Sequence, residues 1–195
     1  MQDHKLIPLI IKLASKFFWP ILIIVLALLK PHIAKRVLKK SQSKDPMWNE
    51  DELKHIAEKI FPLVHESLAK RDSAIIGDYV TEHMFTFHER DINELMSNHE
   101  IYKYSSINIT KTVIIGAENY KENNDDTFSV RITGSMISYT TDEKNIEYMN
   151  NSPKNIKQFN NILEFVRDGN SWYLHKIFED CDTDDVAITA NRMEE

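Results

Sequence analysis

The stretch that most restricts this chain is FFWPILIIVLALLKPHIAKRVLKK, Phe17 to Lys40. Phe17 to Leu29 carries no charge, and Lys30, Lys35, Arg36, Lys39 and Lys40 follow at once. An apolar block seeks hydrocarbon, and cations just outside it seek anionic head groups. The pair reads as a membrane attachment device, with Phe17, Phe18, Trp19, Ile23 and Leu26 on the apolar side and the five basic residues on the polar side. Length decides how it attaches. Phe17–Leu29 reaches only about 20 Å as a helix, short of a hydrocarbon core of about 30 Å. Extension back to Leu9 reaches about 32 Å and spans, with Lys12 and Lys16 snorkelling beside Trp19. Two other readings stand beside the span. A cleaved signal peptide has an apolar run of this length, but no small-x-small site follows. An interfacial segment would be broken by Pro8, Pro20 and Pro31 into short helices. The basic excess after the run puts the C-terminal side in the cytoplasm or matrix, as a single-pass inner-membrane protein.

Charge separates the chain into two parts. Residues 1–44 hold nine Lys or Arg and one acid; the rest holds 15 basic and 29 acidic residues. A basic arm on an acidic body fits an anionic lipid surface. It argues against nucleic acid, because the body repels phosphates. The single cysteine, Cys181, allows no internal disulfide and no zinc site of several cysteines.

SQSKDP, residues 41–46, reads as a linker. This gives three regions: an anchor at 1–44, a domain at 45–185 and a flexible acidic tail at 186–195. Asn49 caps a helix, with Glu52 placed to close a capping box. Leu53, Ile56, Ala57, Ile60, Phe61, Val64 and Leu68 follow at helical spacing, with a kink, or two helices meeting, expected at Pro62. Asp72 caps a short helix carrying Ile75, Ile76 and Tyr79, and Thr81 caps a third, from Glu82 to about Asn98. After Glu100 the period changes. Val113–Ala117 is a short β-branched run. Phe128, Val130, Ile132, Gly134 and Met136 alternate with polar residues as a strand with one buried face, and Gly134 marks a bulge or bend. Asp142–Lys157 is a loop. Phe159–Arg167 and Ser171–Phe178 form a hairpin about the turn Asp168-Gly169-Asn170. The fold class is α+β: an N-terminal membrane helix, then a cone of about three helices packed on a curved antiparallel sheet of about four strands.

Four stretches carry a resemblance: DPMWNEDELKHIAEKIFPLVHESLAKRD, SAIIGDYVTEHM, FSVRITGSMISYTTDEKN and ILEFVRDGNSWYLHKI. They resemble the C-terminal domain of the membrane-docking subunit of the mitochondrial protein-import motor, inner-membrane translocase subunit forty-four, and its bacterial relatives. That family belongs to the nuclear-transport-factor-2-like cone superfamily. The packing residues behind the likeness are Trp48, Phe61, Phe128, Gly134, Phe165, Trp172, Leu174 and Ile177. Asn160, Asn161 and Ile162 depart from it, standing where the family carries a bulkier aromatic pattern. The resemblance implies attachment to an inner membrane, binding of a protein partner or an acyl chain, and no catalysis.

The residues offer little chemistry of their own. His83 and His88 do not share a helix face, and no HExxH or His/Cys cluster occurs. His55 with Glu58, and His65 with Glu66, read as helix-surface pairs. A pocket enzyme of the same superfamily would draw on Tyr79, His88, Tyr139 or His175. Four glycines supply no phosphate loop, so no cofactor is expected. Tyr102, Tyr104, Tyr120, Tyr139 and Tyr148 offer a recognition surface, or pack on the sheet. The leading expectation is a membrane-anchored, non-enzymatic adaptor that binds a protein partner or acyl chain, in protein translocation or membrane-protein handling. A secretion-system component with the cone outside the cytoplasm is the rival.

Overall fold

The computed structural model describes residues 3–144 and 156–194, with side chains from Phe18 onward. Tyr148 and most of the loop expected at 142–157 lie outside the described residues, as do the side chains of Leu9, Lys12, Lys16 and Phe17.

The first helix, α1, is one continuous element, Asp3–Gln42. Pro8, Pro20 and Pro31 do not break it into pieces. Pro46 heads a 3₁₀ turn, Pro46–Trp48, capped by the Asp45 carboxylate on the Met47 amide. α2 then runs Glu50–Lys70. The Asn49 side chain accepts from the Asp51 and Glu52 amides, while its own amide goes to Pro46 O. So the cap forms, and its return half is taken by the preceding turn rather than by Glu52. Pro62 lies inside α2 without dividing it. The expected short helix after Asp72 is two 3₁₀ turns, Ser73–Ile75 and Gly77–Tyr79. α3 is Glu82–Ser97, with Thr81 Oγ1 accepting from the Met84 amide.

Four strands follow: β1 Glu100–Asn119, β2 Thr127–Asp142, β3 Ile156–Asp168 and β4 Ser171–Phe178. Then come α4, Thr183–Ile188, and β5, Asn191–Met193. The sheet order is β4-β3-β2-β1-β5, antiparallel except that β5 lies parallel to β1. Two expectations change here. The sheet has five strands, and β1 is far longer than Val113–Ala117. Residues 186–195, expected as a flexible tail, hold the end of α4 and all of β5, and Val186 is buried. The Asp182 side chain caps α4 on the Asp184 and Asp185 amides, and Asp185 returns the bond. A run of acids therefore builds a helix start.

The concave side is filled by the large side chains of α2 and the sheet. Phe128 stacks on Phe165 at 4.6 Å between ring centroids, and Trp172 meets Phe128 and Trp48 edge-on at 5.0 and 5.1 Å. Phe61 lies 5.0 Å from Phe159. Leu174 is fully buried, and Ile177 packs partly covered against the same cluster. Gly134 sits where β1 and β3 close in on β2. A methyl group there would fall within 2.6 Å of the Phe159 ring and closer still to the Asn108 carbonyl oxygen. Backbone cannot yield to it, so Gly134→Ala forces the strands apart. An overpacked core position costs about 1–3 kcal/mol. Urea unfolding of the variant is expected to show at least that loss, and an unchanged midpoint would contradict this packing.

Candidate docking face and cone mouth

α1 shows the domain one face and leaves the other outside. Ala34 and Leu38 are buried in the main core. Ala27 packs against Ile115, Ile162, Cys181 and Val186. Lys30 Nζ donates to the Thr189 carbonyl. These positions share one side of a helix that turns about 100° per residue. On β1 and β2, Lys111, Val113, Arg131 and Thr133 face α1, whereas Ile114, Val130 and Ile132 belong to the core under α2. Around Ala27 and Leu28, α1 therefore lies on the sheet face opposite α2, and at Ala34 and Leu38 it reaches the core that α2 covers.

The outward side of α1 holds Ile21, Ile24, Val25, Leu28, Leu29 and Ile33, all exposed, with Leu28 at 68%. Lys35, Arg36, Lys39 and Lys40 continue the same stripe and are exposed as well. The spacing is three and four residues, so one face changes from apolar to basic along its length. Lys35 reaches Glu50 at 3.8 Å across open surface. Of the expected membrane-contact residues, Phe18, Trp19 and Leu26 are exposed and Ile23 is half-covered. Lys30 belongs to the other side. It turns to the domain, and partial burial lowers its pKa. Among the described residues, no helix is long and apolar enough to cross a membrane.

A groove of about 310 Å³ runs between α1 and the outer sheet face. Ala27, Leu28, Val113 and Ile115 make its apolar wall, and Lys111 and Arg131 bring cations to it. Arg131 Nε donates to Asn160 Oδ1 at 2.6 Å.

On the concave side, a second cavity of about 260 Å³ opens between α2 and the far ends of β1, β2 and β3. His65 Nδ1 is 2.8 Å from the Tyr102 hydroxyl. Burial, then the nearby His88, lowers His65 to about 4. Burial pushes Tyr102 up to about 12, with a Ser138 hydrogen bond working the other way. His88 Nε2 lies 2.8 Å from Ser67 Oγ, also buried and also lowered by burial. Glu179, on the cavity rim, is raised by the partial burial of its carboxyl, then by Asp180 and Asp91. Sequence spacing treated His65 as a helix-surface residue; the structure buries it.

The other candidates do not converge. Tyr79 lies under Lys59, and His175 Nδ1 bonds Thr81 Oγ1 beside His83. Tyr139 is half-buried on β2. Tyr104 stacks on Tyr102, and Tyr120 lies under Arg192. Among the described residues, no three His, Cys, Asp or Glu side chains could hold a metal ion. Cys181 is buried, its thiol raised by that burial, so it offers no handle to an aqueous label.

Helices inside a curled five-stranded sheet, with a further helix laid across the outside, define a cone-shaped α+β domain. The chain belongs to the Tim44-like domain family, which matches residues 34–179. The match begins at Ala34, where α1 enters the core. No curated protein matches the chain. Among solved structures, the intermembrane space region of the chloroplast protein ARC6 is similar at a TM-score of 0.49 and 8% identity, covering 67% of this chain and 95% of that one. A de novo designed β-sheet protein is similar at 0.36 and 8%, over 66% and 88%.

Proposed function

We propose that the protein is a non-enzymatic adaptor attached to an inner membrane through α1, with the cone turned toward a protein partner in translocation or membrane-protein handling. One observation carries the attachment: the side of α1 facing away from the domain is apolar from Ile21 to Ile33 and basic from Lys35 to Lys40. A helix with such a side lies at an interface, its apolar part in the acyl boundary and its cations at the head groups. The docked side limits how deep the helix can go. Ala27 and Lys30 cannot sit in hydrocarbon while packed on the domain. So the part of α1 before Ile21 enters the bilayer, and the part after it rests on the surface beneath the domain. This shortens the span read from sequence as Leu9–Leu29. Membership in the Tim44-like domain family supports the translocation setting. The groove with Lys111 and Arg131 adds a seat for an anionic lipid at the same surface. The cytoplasmic or matrix orientation rests on the basic excess after the apolar run.

A further alternative, an enzyme of the same fold, has weaker support. A general acid or base works best with a pKa near the operating pH. His65 at about 4 and Tyr102 at about 12 are far from neutrality on both sides.

Vesicle flotation tests the attachment. Deleting residues 1–44 would remove Ala34 and Leu38 from the core, so the variant to use is a deletion of residues 1–26. It keeps the docked half of α1 and is expected to float weakly; adding Leu28→Glu and Leu29→Glu is expected to abolish flotation. A doubly substituted deletion that still floats like the intact chain overturns the reading.

A further inference from the structure

The cone mouth contains a buried polar group that its own fold does not use. Asn161 is 3% exposed. Its Oδ1 accepts from the Asp180 amide at 3.3 Å. His65 is 5% exposed, and its Nε2 has no hydrogen-bond partner. Taking the Tyr102 hydroxyl, 2.8 Å away, as the donor to Nδ1 of the neutral His65 sets the tautomer. Nε2 then carries a hydrogen. Both residues line the 260 Å³ cavity. A buried donor without an acceptor costs about 1–3 kcal/mol. One in this cavity wall points to an acceptor that arrives from outside.

The rest of the wall narrows the chemistry. Lys157 brings a cation to the rim. Glu179 and Asp180 bring carboxyl groups to the same rim, on a turn pinned by Cys181 N to Asn160 O at 2.7 Å. Asp180 holds φ at 50°, a left-handed value that Asp adopts more readily than most residues with a Cβ. Leu68, Met136 and Phe159 supply the apolar remainder. The volume falls below the roughly 300–1,000 Å³ of drug-sized sites, and the polar lining does not suit a lipid chain.

We infer that the cone mouth binds a free α-amino acid with an apolar side chain. Its carboxylate takes the Asn161, His65 and Lys157 donors, its ammonium group goes to Glu179 and Asp180, and its side chain lies on Met136 and Phe159. None of these residues belongs to α1, so ligand binding and membrane attachment separate experimentally.

The test uses the full chain in detergent, with L-methionine, L-leucine and L-phenylalanine as probes. A ligand that binds only the folded state raises the melting temperature by mass action, so about 10 mM of a fitting amino acid gives a measurable rise. The N-acetyl amide of the same residue, which has neither charge, is expected to give none. Lys157→Ala and Glu179→Gln change exposed side chains and leave the core intact; each is expected to weaken calorimetric binding about tenfold, a loss of about 1.4 kcal/mol. No rise with any of the three amino acids overturns the inference, as does an equal rise with the blocked derivative or unchanged affinity in both variants. Flotation is expected to be the same with and without the amino acid; a dependence would overturn the separation of the two sites.

Discussion

Replacing Arg167 with methionine is expected to destabilise the domain by about 3–5 kcal/mol, the usual cost of breaking a buried ion pair from one side. The Arg167 and Asp126 side chains are 3% and 1% exposed. Arg167 Nη1 reaches Asp126 Oδ2 at 3.2 Å and also Asp45, and its Nε donates to Gly169 O at 2.8 Å. One guanidinium thus joins the linker after α1, the β1–β2 connection and the β3–β4 turn. Removing it leaves two carboxylates facing each other with no cation between them. Lysine is not expected to rescue the loss, because a single ammonium cannot reproduce a planar fork with three acceptors. The pH dependence has a defined sign. Burial raises Asp126 above its ordinary value even with Arg167 present, so the fold holds that proton more tightly than the unfolded chain does. A raised carboxyl loses stability as pH climbs through its unfolded value toward its folded one. Without Arg167 the rise is larger. The deficit of Arg167→Met is therefore expected to be smaller near pH 5 than near pH 7.5, and Asp126→Asn added to it to recover part of the loss. Urea unfolding at the two pH values reads both effects; an equal deficit at both, with no gain from Asp126→Asn, would show that the charge is not what Arg167 answers.

That ion cluster was not legible in the sequence, although its neighbours were. Asn49, Thr81 and the Asp168-Gly169-Asn170 turn are local signals, and each lies where its chemistry requires. Gly169 adopts φ 57° in the turn. The strict alternation from Phe128 to Met136 likewise marks a strand with one buried face. Arg167, Asp126 and Asp45 look like ordinary solvated charges, since nothing within a few residues of each says that they meet. His65 and Tyr102 pose the same problem, 37 positions apart. α4 and β5 were missed because six and three residues are too few to show a period. The prolines are a different case. Pro20, Pro31 and Pro62 lie inside helices, where packing outweighs a lost backbone bond: α2 buries Leu53, Ala57, Ile60, Phe61 and Val64 against the sheet. Most instructive is Phe17–Leu29. It is apolar on every side, so no moment distinguishes one face. Only the domain, by covering Ala27 and Ala34, turns an all-round apolar helix into one with an inside and an outside.

Neutralising the basic end of that outside face is expected to have the largest functional effect. Each Lys or Arg held at an anionic surface contributes about 1 kcal/mol. Lys35, Arg36, Lys39 and Lys40 changed together to glutamine should then weaken binding to anionic vesicles by up to about 4 kcal/mol, or about a thousandfold. Glu50, 3.8 Å from Lys35, reduces the share of that residue. The acidic body makes the loss steeper. It repels the same lipids that the stripe attracts, so removing the stripe leaves net repulsion rather than indifference. Salt separates this term from the apolar one. At high ionic strength the screening length falls to a few ångströms, and the intact chain should approach the variant; on uncharged vesicles the two should bind alike through Ile21 to Ile33. The fold is not at stake, because all four side chains are exposed and the buried Ala34 and Leu38 are untouched. Co-sedimentation with vesicles of graded anionic content measures the difference. Equal binding of both proteins at every lipid composition would mean that the cations of α1 do not face the membrane, and the orientation of the domain on the bilayer would have to be reversed.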